Sequence, residues 1–198
     1  MSDTPVDSSK RTWLITTGCV GAVGAGALAT PFVASFQPSE KAKAAGAAVE
    51  VDISNLQPGE KVIVEWRGKP VWILRRTPEM LESLKQTDAE VADPKSERKA
   101  YPPPAYAQNE WRSRKPEFLV VVGICTHLGC SPVDKLQTGP QPSLPDNWGG
   151  GFFCPCHGST FDLAGRVFKN KPAPDNLEVP PYKFLSETKI LVGEDAEA

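Results

Sequence analysis

The sequence predicts an all-β domain with antiparallel pairing, carried behind one N-terminal membrane helix. Three observations predict it. Between short β-branched runs, the 20 prolines and 16 glycines gather in stretches such as YPPPAY, GPQPSLPDNWGGG and KPAPDNLEVPPY, as in β domains with irregular connections. No charged residue occurs from Thr12 to Ser39. Both histidines and four of the five cysteines fall in two segments, GICTHLGC (123–130) and CPCHGSTFD (154–162).

The apolar segment comes first. As a helix, residues 12–36 would run roughly 37 Å at 1.5 Å per residue, enough to cross a hydrocarbon core of about 30 Å. Lys10 and Arg11 precede it and Trp13 stands at its edge, as interfacial anchors do. A cleaved secretory signal is the competing reading, with Ala27-Leu28-Ala29 as the cleavage site. Such signals have apolar cores of only about 7–15 residues, so length favours a retained anchor over 12–36 behind a cytoplasmic tail, 1–11. Flanking charge nearly ties, Lys10 and Arg11 against Lys41 and Lys43. A short tail inside, with everything after about residue 40 outside, is the simpler topology. Cys19, within the span, reads as a small apolar filler.

Residues 37–48 include PSEKAKAAGAA, whose small side chains bury little. They read as a flexible hinge linker that reaches about 35 Å if extended, and less if its alanines coil into helix. The domain follows over 49–198. VEVDI (49–53), KVIVEW (61–66) and PVWILRR (70–76) read as strands, separated by NLQPGE and RGK turns. Thr77 and Pro78 suit the N-cap and first position of a short helix. Residues 88–116, charged and proline-rich, read as a long surface excursion. EFLVVVGI (117–124) is a buried strand delivering the chain into the first motif, and RVFK, LEV, YKFL and TKILVG are short closing strands. A net charge of −2 offers no electrostatic footprint for nucleic acid.

In the two segments, Cys125 with His127 and Cys154 with His157 can each point one thiolate and one imidazole at a common centre. That donor set alone does not name the metal, since structural zinc uses the same residue types. A structural zinc module that binds partners therefore stays open as a competing class. Against zinc stand two further cysteines, Cys130 and Cys156, and the order Cys-x-His then Cys-x-x-His. Outside the cytoplasm a Cys130–Cys156 disulfide is permitted, and such a clasp would contribute about 2–4 kcal/mol.

CTHLGC and CPCHGS resemble the cluster-binding boxes of the Rieske iron–sulfur subunits of cytochrome bc complexes, bacterial type. AGRVFKNKPAPDNLEVPPYKF is similar to that family's Gly-Arg and Pro-Ala-Pro region. The resemblance implies a Rieske-type antiparallel β domain with a cluster-binding subdomain at about 123–175. It implies one 2Fe–2S cluster, with Cys125 and Cys154 on one iron and His127 and His157 on the other, and a Cys130–Cys156 disulfide. By the same resemblance His157 bonds the quinol oxygen and accepts its electron and proton, and His127 lies exposed beside it. Leu128, Gly129 and Pro172 form a docking surface, Gly129 and Gly158 bend their loops, and the Ser159 hydroxyl bonds a cluster sulfur. The family's role is electron transfer from ubiquinol to a c-type cytochrome, with proton translocation, inside a dimeric complex containing a cytochrome b subunit. The chain would not act alone. Its place would be the bacterial inner membrane, single-pass, with the cluster domain on the periplasmic side.

The ligand set suits that chemistry. Two ferric ions, two sulfides, two thiolates and two neutral imidazoles sum to about zero charge, whereas four thiolates give a dianion that resists an electron. The direction agrees with Rieske potentials of about −150 to +300 mV against about −400 mV for all-cysteine plant ferredoxins. Each imidazole also has a nitrogen away from the iron. Coupling one proton to reduction lowers the potential about 59 mV per pH unit above the oxidised-state pKa.

Four features depart from the family pattern. Phe161 stands where many relatives have tyrosine, which predicts a lower potential. Lys171 in NKPAP replaces a common glycine. The connection 131–153 is longer than in mitochondrial relatives, with no assigned role, and SSKRTWL resembles a twin-arginine export signal with Lys10 for the first arginine. Two competing readings remain within Rieske proteins. A ferredoxin or oxygenase component would usually lack the anchor and the Cys130 and Cys156 pair, both present here. Another membrane-tethered type, of a plastoquinol or arsenite-oxidising enzyme, is disfavoured by the NLEVPPY tail.

Overall fold

The computed structural model describes residues 7–98 and 100–195. Residues 1–6 of the expected tail and the last three of the expected domain lie outside that range. The chain divides into two compact units, Met1–Ala44 and Ala45–Ala198.

In the first unit, α1 (Ser8–Ser35) is capped by Asp7, whose carboxylate accepts the Ser9 and Lys10 N–H groups at 3.0 and 3.3 Å. Its 28 residues have a mean hydropathy of 1.5 in the most apolar window, long and apolar enough to cross a membrane. Its four threonine hydroxyls are satisfied locally. Thr12, Thr16, Thr17 and Thr30 each donate to the carbonyl four residues back, at 2.8–2.9 Å. That leaves few unpaired polar groups for a lipid environment. Next, α2 (Glu40–Ala45) turns the linker alanines into helix, with Lys43 paired to Glu40 at 2.8 Å.

The second unit holds three antiparallel three-stranded sheets. β1 (Val49–Asp52) lies on one edge of a sheet ordered β1-β9-β8, with β8 (Tyr182–Ser186) and β9 (Lys189–Val192) from the C-terminus. β2 (Lys61–Trp66), β3 (Lys69–Arg75) and β4 (Phe118–Val122) form the second sheet. Arg67 and Gly68 turn β2 into β3 with positive φ at both positions, 52° and 70°, the two-residue hairpin that matches strand twist. All five residues of β4 are buried, which explains its unbroken apolar run. α3 (Pro78–Thr87) begins at Thr77, whose hydroxyl accepts the Met80 N–H at 3.3 Å.

The third sheet carries the second motif, while the first lies between β4 and this sheet; its strands were not anticipated: β5 (Val133–Lys135), β6 (Gly151–Cys154) and β7 (Ser159–Phe161). It packs on the second sheet through Trp72 and Phe152, whose rings are 4.9 Å apart. Lys61 of β2 lies 4.0 Å over the Trp72 ring and pairs with Asp134 of β5. One apolar core runs through all three sheets.

Two expectations need correction. RVFK and LEV are not strands. Arg166–Phe168 makes only isolated bridges, Val167 to Phe161 and Phe168 to Val91. The Val167 N–H donates to the Asn176 side chain at 2.9 Å, and the Leu177 N–H to the Gly165 carbonyl at 2.8 Å, so loop partners take their backbone donors. The 88–116 segment is also more than a surface excursion, because Ala107, Arg112 and Ser113 are buried. Arg112 reaches inward to donate to the Ala164, Gly165 and Leu177 carbonyls at 2.7–3.2 Å. Burial pulls its guanidinium down to about 10.

Candidate metal centre

The two motif loops are built alike. In the first, following β4, the Gly129 N–H donates to the Cys125 carbonyl at 3.1 Å; in the second, joining β6 to β7, the Gly158 N–H donates to the Cys154 carbonyl at 3.0 Å. Each loop thus starts at a cysteine and closes on a glycine four residues later. Gly129 and Gly158 have φ of 83° and 78° with open space where a Cβ would stand, so the backbone conformation, not crowding, selects glycine. The Cys130–Cys156 disulfide joins the loops, and the Cys125 N–H donates to the Cys130 carbonyl at 2.8 Å.

Within this frame the donors gather as two pairs, the Cys125 and Cys154 sulfurs together and the His127 and His157 rings together. Cys125 and Cys154 are buried and carry free thiols. The sulfurs of Cys130, Cys154 and Cys156 lie within 4.8 Å of one another; with two of them in the disulfide, Cys154 is the one left to bind. The His127 and His157 rings meet edge to face with centroids 4.7 Å apart. His157 is exposed, as are Leu128, Gly129 and Pro172. His127, expected to be exposed, is half-buried where its ring meets that of His157, and beside it the Thr126 hydroxyl donates to the Asp175 carbonyl at 2.6 Å.

Two observations test whether a metal group fits. The buried Nδ1 of His127 has no hydrogen-bond partner, and a shielded ring nitrogen without a partner is costly unless something binds there. Burial pushes the Cys125 thiol up, and the neighbouring Cys154 sulfur pushes the same way against the His127 N–H and the Ser159 hydroxyl. A coordinated cation reverses that penalty, since a metal-bound thiol is deprotonated outright. The residues fit a group bound by two sulfurs and two imidazoles.

Sequence reasoning missed the surrounding buried charge. Asp162, just past β7, accepts the Ala164 and Arg166 N–H groups on one oxygen and Arg166 Nε on the other, at 2.7–2.9 Å. Arg76 is enclosed by Ser113 and four backbone carbonyls, and burial lowers it to about 10. The Gly-Arg signal at Gly165 and Arg166 was visible; Arg76 and Arg112 offered none, because a buried arginine looks like a surface one in sequence.

Comparison with known proteins agrees with this geometry. Residues 107–183 match the Rieske [2Fe-2S] domain family, and residues 6–39 match the ubiquinol–cytochrome c reductase Fe–S subunit TAT signal family. The chain is 55% identical to the ubiquinol–cytochrome c reductase iron–sulfur subunit of Allochromatium vinosum, over 98% of this chain and 93% of that one. It is 40% identical to the Bradyrhizobium diazoefficiens protein of the same description, covering 93% and 94%. It is 43% identical to the mitochondrial cytochrome b-c1 complex subunit Rieske of Solanum tuberosum, over 96% of this chain and 64% of that longer one. Buried paired cysteines, facing imidazoles and near full-length likeness together place the chain in the family of ubiquinol–cytochrome c reductase iron–sulfur subunits, which carry a Rieske [2Fe–2S] cluster.

Proposed function

We propose that the chain is the electron-carrying subunit of a quinol–cytochrome c reductase, taking one electron and one proton from quinol and passing the electron to a c-type cytochrome. The observation that carries this is the exposed His157 ring set edge to face on a half-buried His127, beside two buried free thiols. Cys125 and Cys154 would hold one iron, and His127 and His157 the other. When bound, the cluster supplies a one-electron acceptor of higher potential than an all-cysteine one. The protein's own residues supply the rest. His157 offers an exposed ring nitrogen that accepts a hydrogen bond from the quinol hydroxyl and takes its proton. Leu128, 71% exposed, with Gly129 and Pro172 makes the apolar docking tip. Ser159, fully buried, directs its hydroxyl at the sulfur side of the site.

The reading extends to the membrane. Residues 12–36, from α1 and its C-cap Phe36, would anchor the chain in the bacterial inner membrane, with the tail 1–11 in the cytoplasm and the head, 49–198, in the periplasm. Residues 37–48 would act as a hinge between quinol site and cytochrome. A cytochrome b subunit would complete the quinol pocket in a dimeric complex. Low-temperature EPR of isolated membranes tests this: ubiquinol should produce a paramagnetic iron–sulfur signal lost in His157→Ala. A colourless, EPR-silent chain defeats the reading, since zinc would be silent.

A further inference from the structure

Two features with no part in the chemistry above meet at one place. Lys171 and the long connection 131–153 both line a cavity of about 410 Å³, within the size range of ligand pockets. Its floor holds Trp148 and Phe168, with ring centroids 5.4 Å apart. Trp148 Nε1 donates to the Lys135 carbonyl at 2.8 Å, so the indole's polar edge is already satisfied and its ring is left for apolar contact. The rim carries Lys169 and Lys171, both exposed, with Asn147 and a single acid, Glu90. Lys169 Nζ donates to the Ala89 carbonyl at 2.7 Å, a neutral partner that leaves its charge uncancelled. Two ammonium groups therefore face one carboxylate.

The cavity is joined to the metal centre through the chain, by β7 and by the segment after Lys171. Thr160 of β7 lines it. Lys171 leads directly into Pro172 and Ala173, whose N–H donates to Ser159 at 3.0 Å. The apolar tip at Leu128 suits a site within a membrane subunit, whereas charge steers partners that meet in water. A lysine rim over an aromatic floor selects an apolar side chain flanked by carboxylates.

We propose that this cavity is a second contact for the electron-accepting c-type cytochrome, seating one apolar anchor of an acidic segment of that protein. The proposal rests on the electron-transfer reading above. Its consequence is kinetic: seating speeds the step in which one electron leaves the reduced head and turns the partner's ferric haem ferrous.

The test uses the assembled membrane complex, pulsed with ubiquinol while ferrous haem is followed in the cytochrome. Lys169→Glu with Lys171→Glu should slow haem reduction about tenfold at low ionic strength, and about 0.5 M salt should close the gap because charges are then screened within a few ångströms. Asn147→Trp, which fills the cavity from an exposed position, should slow it at every ionic strength. In both variants EPR of the head and its reduction by quinol should match wild type. Wild-type haem reduction in both variants overturns the proposal, as does a lysine effect that salt leaves untouched. If quinol fails to reduce the unaltered head, the electron-transfer reading itself has failed, a result distinct from either.

Discussion

Ser159 Oγ accepts the Ala173 N–H at 3.0 Å, tying the Pro-Ala-Pro segment to the loop that bears His157. The hydroxyl proton stays free to donate, and it acts on the Cys125 sulfur. Ser159→Ala removes both bonds. Hydrogen bonds to charged groups contribute about 1.5–3 kcal/mol, which at about 59 mV per tenfold change is a potential lowered by roughly 65–130 mV. Redox titration followed by EPR checks it; an unchanged potential rejects the role given to Ser159.

Phe161→Tyr should move the potential upward. Phe161 is fully buried, opposite Phe152 across the β6–β7 ladder, so a hydroxyl placed there has no water to satisfy it and must donate inward. A neutral hydrogen bond of about 0.5–1.5 kcal/mol corresponds to roughly 20–65 mV. A titration identical to wild type refutes this account of Phe161.

Breaking the clasp between the loops should loosen cluster retention before it unfolds the head. Cys130→Ser with Cys156→Ser should cost about 2–4 kcal/mol. The EPR signal should then disappear at lower denaturant concentration than the circular dichroism of the sheets. Coincident loss of both signals at the wild-type midpoint would show that the disulfide does not hold the site.

Tyr182 makes stability depend on alkaline pH. Burial raises its phenol above the ordinary value of 10, and Tyr106 adds to the rise against Arg114 and Arg76. Above pH 10 the unfolded chain gives up this proton first and binds fewer protons, so stability falls as pH rises, by up to about 1.4 kcal/mol per unit. Arg76 and Arg112, both lowered to about 10, act with the opposite sign above that pH. Comparing Tyr182→Phe with wild type isolates the phenol: their stability difference should shrink between pH 9 and 11 in denaturant melts. A constant difference removes Tyr182 as the cause.

Replacing 42–47 with prolines should slow quinol–cytochrome c turnover if the linker works as a hinge. This segment includes the end of α2. Full turnover with the rigid insert would reduce the linker to a passive spacer.

Much of the centre was legible before any coordinates. Cysteine and histidine spacing is local, and a five-residue loop closed by glycine needs only its own backbone, so CTHLGC and CPCHGS announce themselves. The membrane-length helix, β2, β3, β4 and the α3 cap were legible for the same reason: period, length and capping chemistry act over a few residues. Val133–Lys135 and Gly151–Cys154 were not, because three- and four-residue strands carry too little pattern and are stabilised by one another across a long connection.

What the sequence determined by itself was the donor chemistry, the anchor-length apolar run and the alternation that builds the larger strands. Only the tertiary structure decided that His127 is half-buried while His157 is exposed, that three arginines are enclosed around the 162–166 turn, and that Lys171 shares a cavity with Trp148. The reason is physical. Burial and charge environment arise from contacts between residues tens of positions apart, such as Arg112 with Leu177 and Lys61 with Asp134, and no local pattern encodes which distant carbonyl or carboxylate will be there to receive them.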